Sequence, residues 1–207
     1  MKLKALALFL LLGTFCPVLF ASDSRWSTTI NYAQYKPDLV GWDQGYDDNY
    51  MRGWQTALAY KPFSILELGL GVGYFSASGV GLLPLNGSLG GEVRYLIYPV
   101  EAYIELQAKF SQNQWLVPYI GGGYNMLYYR LEIDGQDNRK GKAEGTQYEL
   151  GVRLLLNAFD SSAAKQLEQA WGIESTQLVL EVKNLDVNKL DLALGGKVYS
   201  LGLVFEF

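Results

Sequence analysis

The sequence has no histidine, and its only cysteine is Cys16. Without histidine the chain lacks the side chain that most often acts as a general base near neutral pH. Basic residues are also outnumbered. Taking Lys2 and Lys4 from the 17 basic residues, as a cleaved leader would, leaves 15 against 21 acidic ones, a net charge of −6. A nucleic-acid binder needs a basic footprint, so that class is excluded. Beyond residue 21 there is no run of about 20 apolar residues, so no segment reads as a membrane-crossing helix.

The N-terminus explains the lone cysteine. Met1-Lys2-Leu3-Lys4 is a basic head, Ala5 to Leu12 an apolar run, and Leu19-Phe20-Ala21 a cleavage site before Ser22. This is a secretory signal peptide, residues 1–21. Gly13, Thr14 and Pro17 interrupt the run, which is too short for a spanning anchor. Phe15 is too large for the residue that precedes an acylated cysteine, which argues against a lipoprotein. The mature domain, 22–207, then has no disulfide and no thiolate chemistry.

What the chain does have is 23 glycines, 15 tyrosines and 49% hydrophobic residues, at a mean hydropathy close to zero. An apolar composition without apolar runs implies alternation, the signature of strands. Eight segments alternate: Trp26 to Tyr35, Gly53 to Tyr60, Ile65 to Ser76, Val100 to Phe110, Trp115 to about Glu132, Gln147 to Leu156, Thr176 to about Asn184, and Lys197 to Phe207. Lys61-Pro62-Phe63-Ser64 reads as a tight turn. The charged stretch D-G-Q-D-N-R-K-G-K-A-E-G reads as a loop after strand five. One segment has helical period: Asp160 or Ser161 caps a helix that runs to Trp171 and ends at Gly172. The run E-V-R-Y-L-I-Y within 79–98 is strand-like, but it would make nine spans where an even number is normal. It is therefore read as a long external excursion, such as a hairpin projecting beyond the bilayer.

One face of the strands is greasy: Leu66/Leu68/Leu70/Val72, Ala102/Ile104/Leu106, Leu150/Val152/Leu154, Leu178/Leu180/Val182 and Leu201/Leu203/Phe205. The other carries Glu67, Glu105, Lys109, Glu149, Arg153, Glu181, Lys183 and Glu206, with Gly69, Gly71 and Gly73 among them. Tyrosine and tryptophan gather near strand ends, as interfacial girdles require. The expected fold is all-β: an eight-stranded antiparallel transmembrane up-and-down β-barrel, with one short periplasmic helix between strands six and seven. The charged face is its interior, filled by a polar network of those eight residues. A soluble lipocalin-like barrel, with the leucines inside, is the rival.

The chain resembles the small eight-stranded outer-membrane β-barrel family, the OmpA-barrel, OmpX and OmpW-like group. The resemblance rests on the signal peptide, the alternating strands, P-Y-I-G-G-G-Y at Pro118 to Tyr124, and the terminal Y-x-L-x-L-x-F-x-F. It implies the outer membrane of a Gram-negative bacterium, with outer-membrane lipid and lipopolysaccharide as surroundings. It also implies recognition of Tyr199, Leu201, Leu203, Phe205 and Phe207 by the outer-membrane assembly machinery, and a monomer. Family members that are deacylases, palmitoyltransferases or proteases generally use a histidine base, which this chain lacks, so no enzyme and no catalytic residue is expected. Asp47-Asp48 does not have calcium-loop spacing, and no metal or cofactor is expected. Three roles stay open: a structural or loop-displaying envelope component, an OmpW-like conduit for small hydrophobic molecules, and a surface adhesin or lipid-binding protein acting through Trp42, Tyr46 and Tyr50.

Overall fold

The alternating segments become eight long strands in the computed structural model, which describes residues 25–39, 42, 46, 48–79, 93–110, 114–133, 138–189 and 192–207. The signal segment with Cys16, Asp47, and the loop stretches 80–92, 111–113 and 134–137 lie outside the described residues. The strands are β1 (Trp26–Pro37), β2 (Met51–Phe63), β3 (Leu66–Gly79), β4 (Val93–Gln107), β5 (Leu116–Ile133), β6 (Arg139–Leu155), β7 (Ser175–Asp186) and β10 (Gly196–Glu206). Two short strands, β8 (Asn188–Lys189) and β9 (Leu192–Ala193), form a separate ribbon between β7 and β10. Each long strand is antiparallel to the next, and β10 closes on β1. Closure leaves no open edge, the condition for a sheet in lipid. At the seam Ser27 faces Glu206 and Pro37 faces Gly196, and Phe207 N–H donates to the Trp26 carbonyl at 2.9 Å.

Side-chain phase decides which face is out. Leu70, Ile120 and Leu150 are 68%, 59% and 64% exposed, whereas Glu67, Glu149 and Arg153 are at most 2% exposed. A water-soluble barrel would show the opposite phase, so the lipocalin-like rival fails. Aromatic pairs mark both edges of the greasy band. Trp26 and Tyr60 pack at 5.1 Å near the chain termini, while Tyr32–Trp54 and Tyr74–Tyr98 pack at 5.5 Å toward the opposite end.

Three expectations need correction. The fourth strand starts at Val93, not Val100, and ends at Gln107. The run 93–98 is its outer half, paired with the end of β3 and with Tyr128 to Ile133 of β5. Two features hid this continuity. Leu96 and Ile97 are both buried, which breaks the alternation, and Pro99 sits where the β3–β4 register is interrupted between Val72/Val100 and Phe75/Ile97. The sixth strand starts at Arg139, so R-K-G-K-A-E-G is strand rather than loop. Its composition is poor for a strand, but pairing with Leu127 to Leu131 overrides propensity. Finally, β2 runs on to Phe63 and the turn is Ser64-Ile65, which carries Lys61 into the barrel.

At 18 residues β5 rises about 45 Å along a tilted barrel, against an apolar band of about 25 Å. The β5–β6 hairpin therefore stands well clear of the bilayer on the side away from the termini. On the termini side, α1 (Ser161–Trp171) follows a 3-10 turn at Leu156–Ala158. The Asp160 side chain caps it by accepting from Ser162 N–H and Ala163 N–H, and Gly172 ends it at φ 67°.

Candidate functional site: the barrel interior

The interior is divided into two zones. In the half nearer the termini, three cations serve six buried carboxylates. Arg153 on β6 grips Glu67 with both terminal nitrogens, at 2.8 and 3.2 Å, and reaches Glu105 at 2.5 Å. Glu67 and Glu105 face each other across β3 and β4, so Arg153 is what holds two like charges together. Its guanidinium also lies 4.9 Å from the Tyr119 ring centre. Lys183 donates to both oxygens of Glu101, at 3.0 and 2.8 Å, and lies 3.4 Å from Glu149 and 3.7 Å from Glu181. Lys61 pairs with Glu206 and sits 3.5 Å from Glu67. Neutral donors complete the set: Tyr119 Oη to Glu181 at 2.8 Å, Gln107 to Glu67 at 2.9 Å, Gln177 to Glu206 at 2.7 Å. A charge buried this deeply persists only when so paired and bonded.

Carboxylate oxygens of Glu105, Glu149 and Glu181 lie within 4.8 Å of one another. Arg153 and Lys183 already stand against these three, so the arrangement is an ion-pair lattice. The glycines on this face make room for it. A Cβ on Gly121 would fall 2.3 Å from Glu149, and on Gly69 or Gly151 it would meet the rings of Tyr103 or Tyr119. The remaining space around Glu105, Glu149, Glu181, Arg153 and Lys183 is a cavity of about 20 Å³, room for about one water.

The half toward the long hairpins is apolar. Tyr35, Met51, Phe75, Tyr95, Ile97, Leu127, Leu185 and Val198 point inward and are buried. Trp42, from the β1–β2 loop, is 3% exposed and drops onto this cluster. It stacks on Tyr46 at 3.9 Å and 16°, and both approach Tyr95. Burial pushes the Tyr46 phenol above its ordinary pKa. Tyr35 Oη donates to the Leu194 carbonyl, tying the segment before β10 to the same stopper.

Of the eight interior residues expected from sequence, seven are buried inside the barrel: Glu67, Glu105, Glu149, Arg153, Glu181, Lys183 and Glu206. Lys109 is half-buried at the mouth nearer the termini, beside a cavity of about 210 Å³ that Gln107, Gln177 and Glu206 also line. Sequence reasoning missed Glu101 and Lys61. Glu101 shares the phase of Tyr103 and Glu105, so strand parity alone could have found it. Lys61 was masked by Pro62, which suggested a turn. The five C-terminal residues Tyr199, Leu201, Leu203, Phe205 and Phe207 lie on the outward face of β10 and its end. Trp42 and Tyr46 serve the interior stopper, and Tyr50 packs edge-on to Tyr199 at 6.3 Å.

Neither a protein-family model nor a curated protein matches this sequence. Solved outer-membrane proteins share its fold. OprG of Pseudomonas aeruginosa is similar with a TM-score of 0.62 at 16% identity, covering 89% of this chain and 96% of that one. Neisserial surface protein A gives 0.57 at 12% identity, covering 88% and 97%. Ail, the attachment invasion locus protein of Yersinia pestis, gives 0.51 at 14% identity, covering 89% and 97%. At these identities the likeness establishes the fold.

Proposed function

We propose that this chain, which has the fold of the small eight-stranded outer-membrane β-barrels of the OmpA-barrel, OmpX and OmpW-like group, is a closed, non-enzymatic envelope protein that displays its long hairpins outside the cell. The observation that carries this reading is the filled interior: an ion-pair lattice in one half and a Trp42-capped apolar stopper in the other. An eight-stranded barrel is narrow enough for side chains to fill it. The absence of histidine removes the usual base of the catalytic small barrels. The outward residues of the last strand are assigned to the assembly machinery, and the barrel to a monomeric state.

Because the mature chain has no cysteine, a single introduced one reports topology cleanly. Lys140→Cys, on the projecting hairpin, is expected to react with a membrane-impermeant maleimide on intact cells, and Lys165→Cys on α1 only after lysis. The reverse pattern would refute the display orientation. One observation favours a second reading, a conduit for small hydrophobic molecules: the outer half of the interior is lined by Phe75, Tyr95, Ile97 and Leu127. On that reading Trp42→Ala would admit an apolar fluorescent probe that the native barrel excludes; equal exclusion by both would dismiss it.

A further inference from the structure

We infer that the outward face of the β1–β10 seam, at Lys36 and Lys197, holds a phosphate-bearing lipid headgroup of the external leaflet. The inference rests on the orientation proposed above, in which the long hairpins face outward.

The first observation is the register. Lys36 stands directly opposite Lys197 across the seam, and both are exposed. Like charges directly opposite one another destabilise a sheet. On its other side Lys197 faces Asn184 of β7, not a carboxylate. Asp38 and Asp186 lie two residues further out, away from the bilayer.

The second observation is height. Tyr199 lies two residues along β10 toward the bilayer and is braced by Tyr50 at 6.3 Å. On the neighbouring strands Tyr32 packs against Trp54. These rings belong to the aromatic girdle that marks the edge of the hydrocarbon. Two residues of a tilted strand place the ammonium-bearing positions about 5 Å beyond it, at the level of headgroup phosphates.

The third observation is contrast. Among the described residues, Arg52, Arg130 and Lys142 already have acidic partners, Asp48 at 2.6 Å, Glu132 at 3.1 Å and Glu144 at 3.5 Å. Lys140 stands opposite Arg130, so the one like pair of cations beside Lys36–Lys197 includes a residue already held by Glu132. Arg94 faces Glu132 in register. The Lys36–Lys197 pair has no carboxylate opposite either member. Two ammonium groups on adjacent strands, flush with the membrane and above lipid-facing Tyr199 and Leu201, suit one phosphate dianion approaching from the side. Lysine binds such a group as a point charge.

The experiment uses the refolded mature barrel in bilayers of zwitterionic lipid, with or without a phosphorylated glycolipid of the lipid A type, read by thermal unfolding. The phosphorylated lipid is expected to raise the native Tm by about 2–4 °C. The Lys36→Gln/Lys197→Gln double variant should lose most of that rise. In zwitterionic lipid alone, Lys197→Glu should melt higher than the native protein, because it turns a like pair into an opposite pair, and it should gain nothing from the glycolipid. Equal rises in native and double-variant protein would overturn the site. The same rise with the dephosphorylated glycolipid would overturn the phosphate, and the same rise with free inorganic phosphate would overturn the lipid source. A failure of the orientation is separable, since it would appear as reversed maleimide labelling of Lys140→Cys and Lys165→Cys on cells and leave these shifts in the refolded protein in place.

Discussion

The sharpest consequence of the interior lattice concerns Arg153. Replacing it with methionine keeps most of the volume and removes the charge. Glu67 would retain Lys61 at 3.5 Å and Gln107 at 2.9 Å. Glu105 would lose its 2.5 Å partner and still face Glu67 across the β3–β4 ladder. All three side chains are at most 4% exposed, so solvent screening does little to soften the loss. Breaking a buried pair of this kind costs about 3–5 kcal/mol, or about two to three and a half orders of magnitude in the folding equilibrium. Equilibrium urea unfolding of the mature barrel in lipid vesicles, followed by tryptophan fluorescence, measures it. The triple variant Arg153→Met/Glu67→Gln/Glu105→Gln should recover at least half of the loss, because no uncompensated carboxylate remains at that level. A loss below about 1 kcal/mol in Arg153→Met, the range of an exposed pair, would refute the reasoning.

Three further predictions concern packing, closure and the bilayer edge. Gly123→Ala places a Cβ 2.2 Å from the Ala102 carbonyl, whereas at Gly122 the nearest atom is 3.4 Å away. Gly123→Ala should therefore destabilise by about 1–3 kcal/mol and Gly122→Ala far less in the same unfolding assay; equal losses would contradict the assigned faces. Deleting Phe207 removes the last rung of the β1–β10 seam, and the fraction of heat-modifiable barrel recovered from membranes should fall; unchanged recovery would exclude that role. Trp171, 65% exposed on α1, is expected to meet the membrane surface on the termini side. As the sole tryptophan of a variant it should be quenched by lipid brominated near the headgroup, and quenching by aqueous iodide alone would place the helix in water.

Much of this architecture was legible because lipid inverts the usual pattern along each strand. Leu66, Leu68 and Leu70 against Glu67, Gly69 and Gly71 can be satisfied only by a greasy exterior and a crowded interior. The helix ends were equally legible, since Asp160 and Gly172 are chemically suited to the two caps. Legibility failed beyond the bilayer, where a strand no longer needs a greasy face. Arg139 to Glu144 reads as loop but is held by its partner strand, and Val93 to Tyr98 lost its alternation because Leu96 is buried beside Ile97. The apolar stopper escaped notice for a related reason. Phase separates inside from outside, but it does not foretell that inward residues turn from charged to apolar partway up the barrel, or that Trp42 folds in from a loop.

The central claim is that this interior offers no path. It is tested most directly by the single-channel conductance of refolded mature protein in a planar bilayer, with heat-modifiable gel mobility as proof of folding. The ion-pair lattice and the stopper predict a folded barrel that stays electrically silent. Stable, discrete openings from the same folded material would contradict the claim and make Glu105 and Arg153 the walls of a channel.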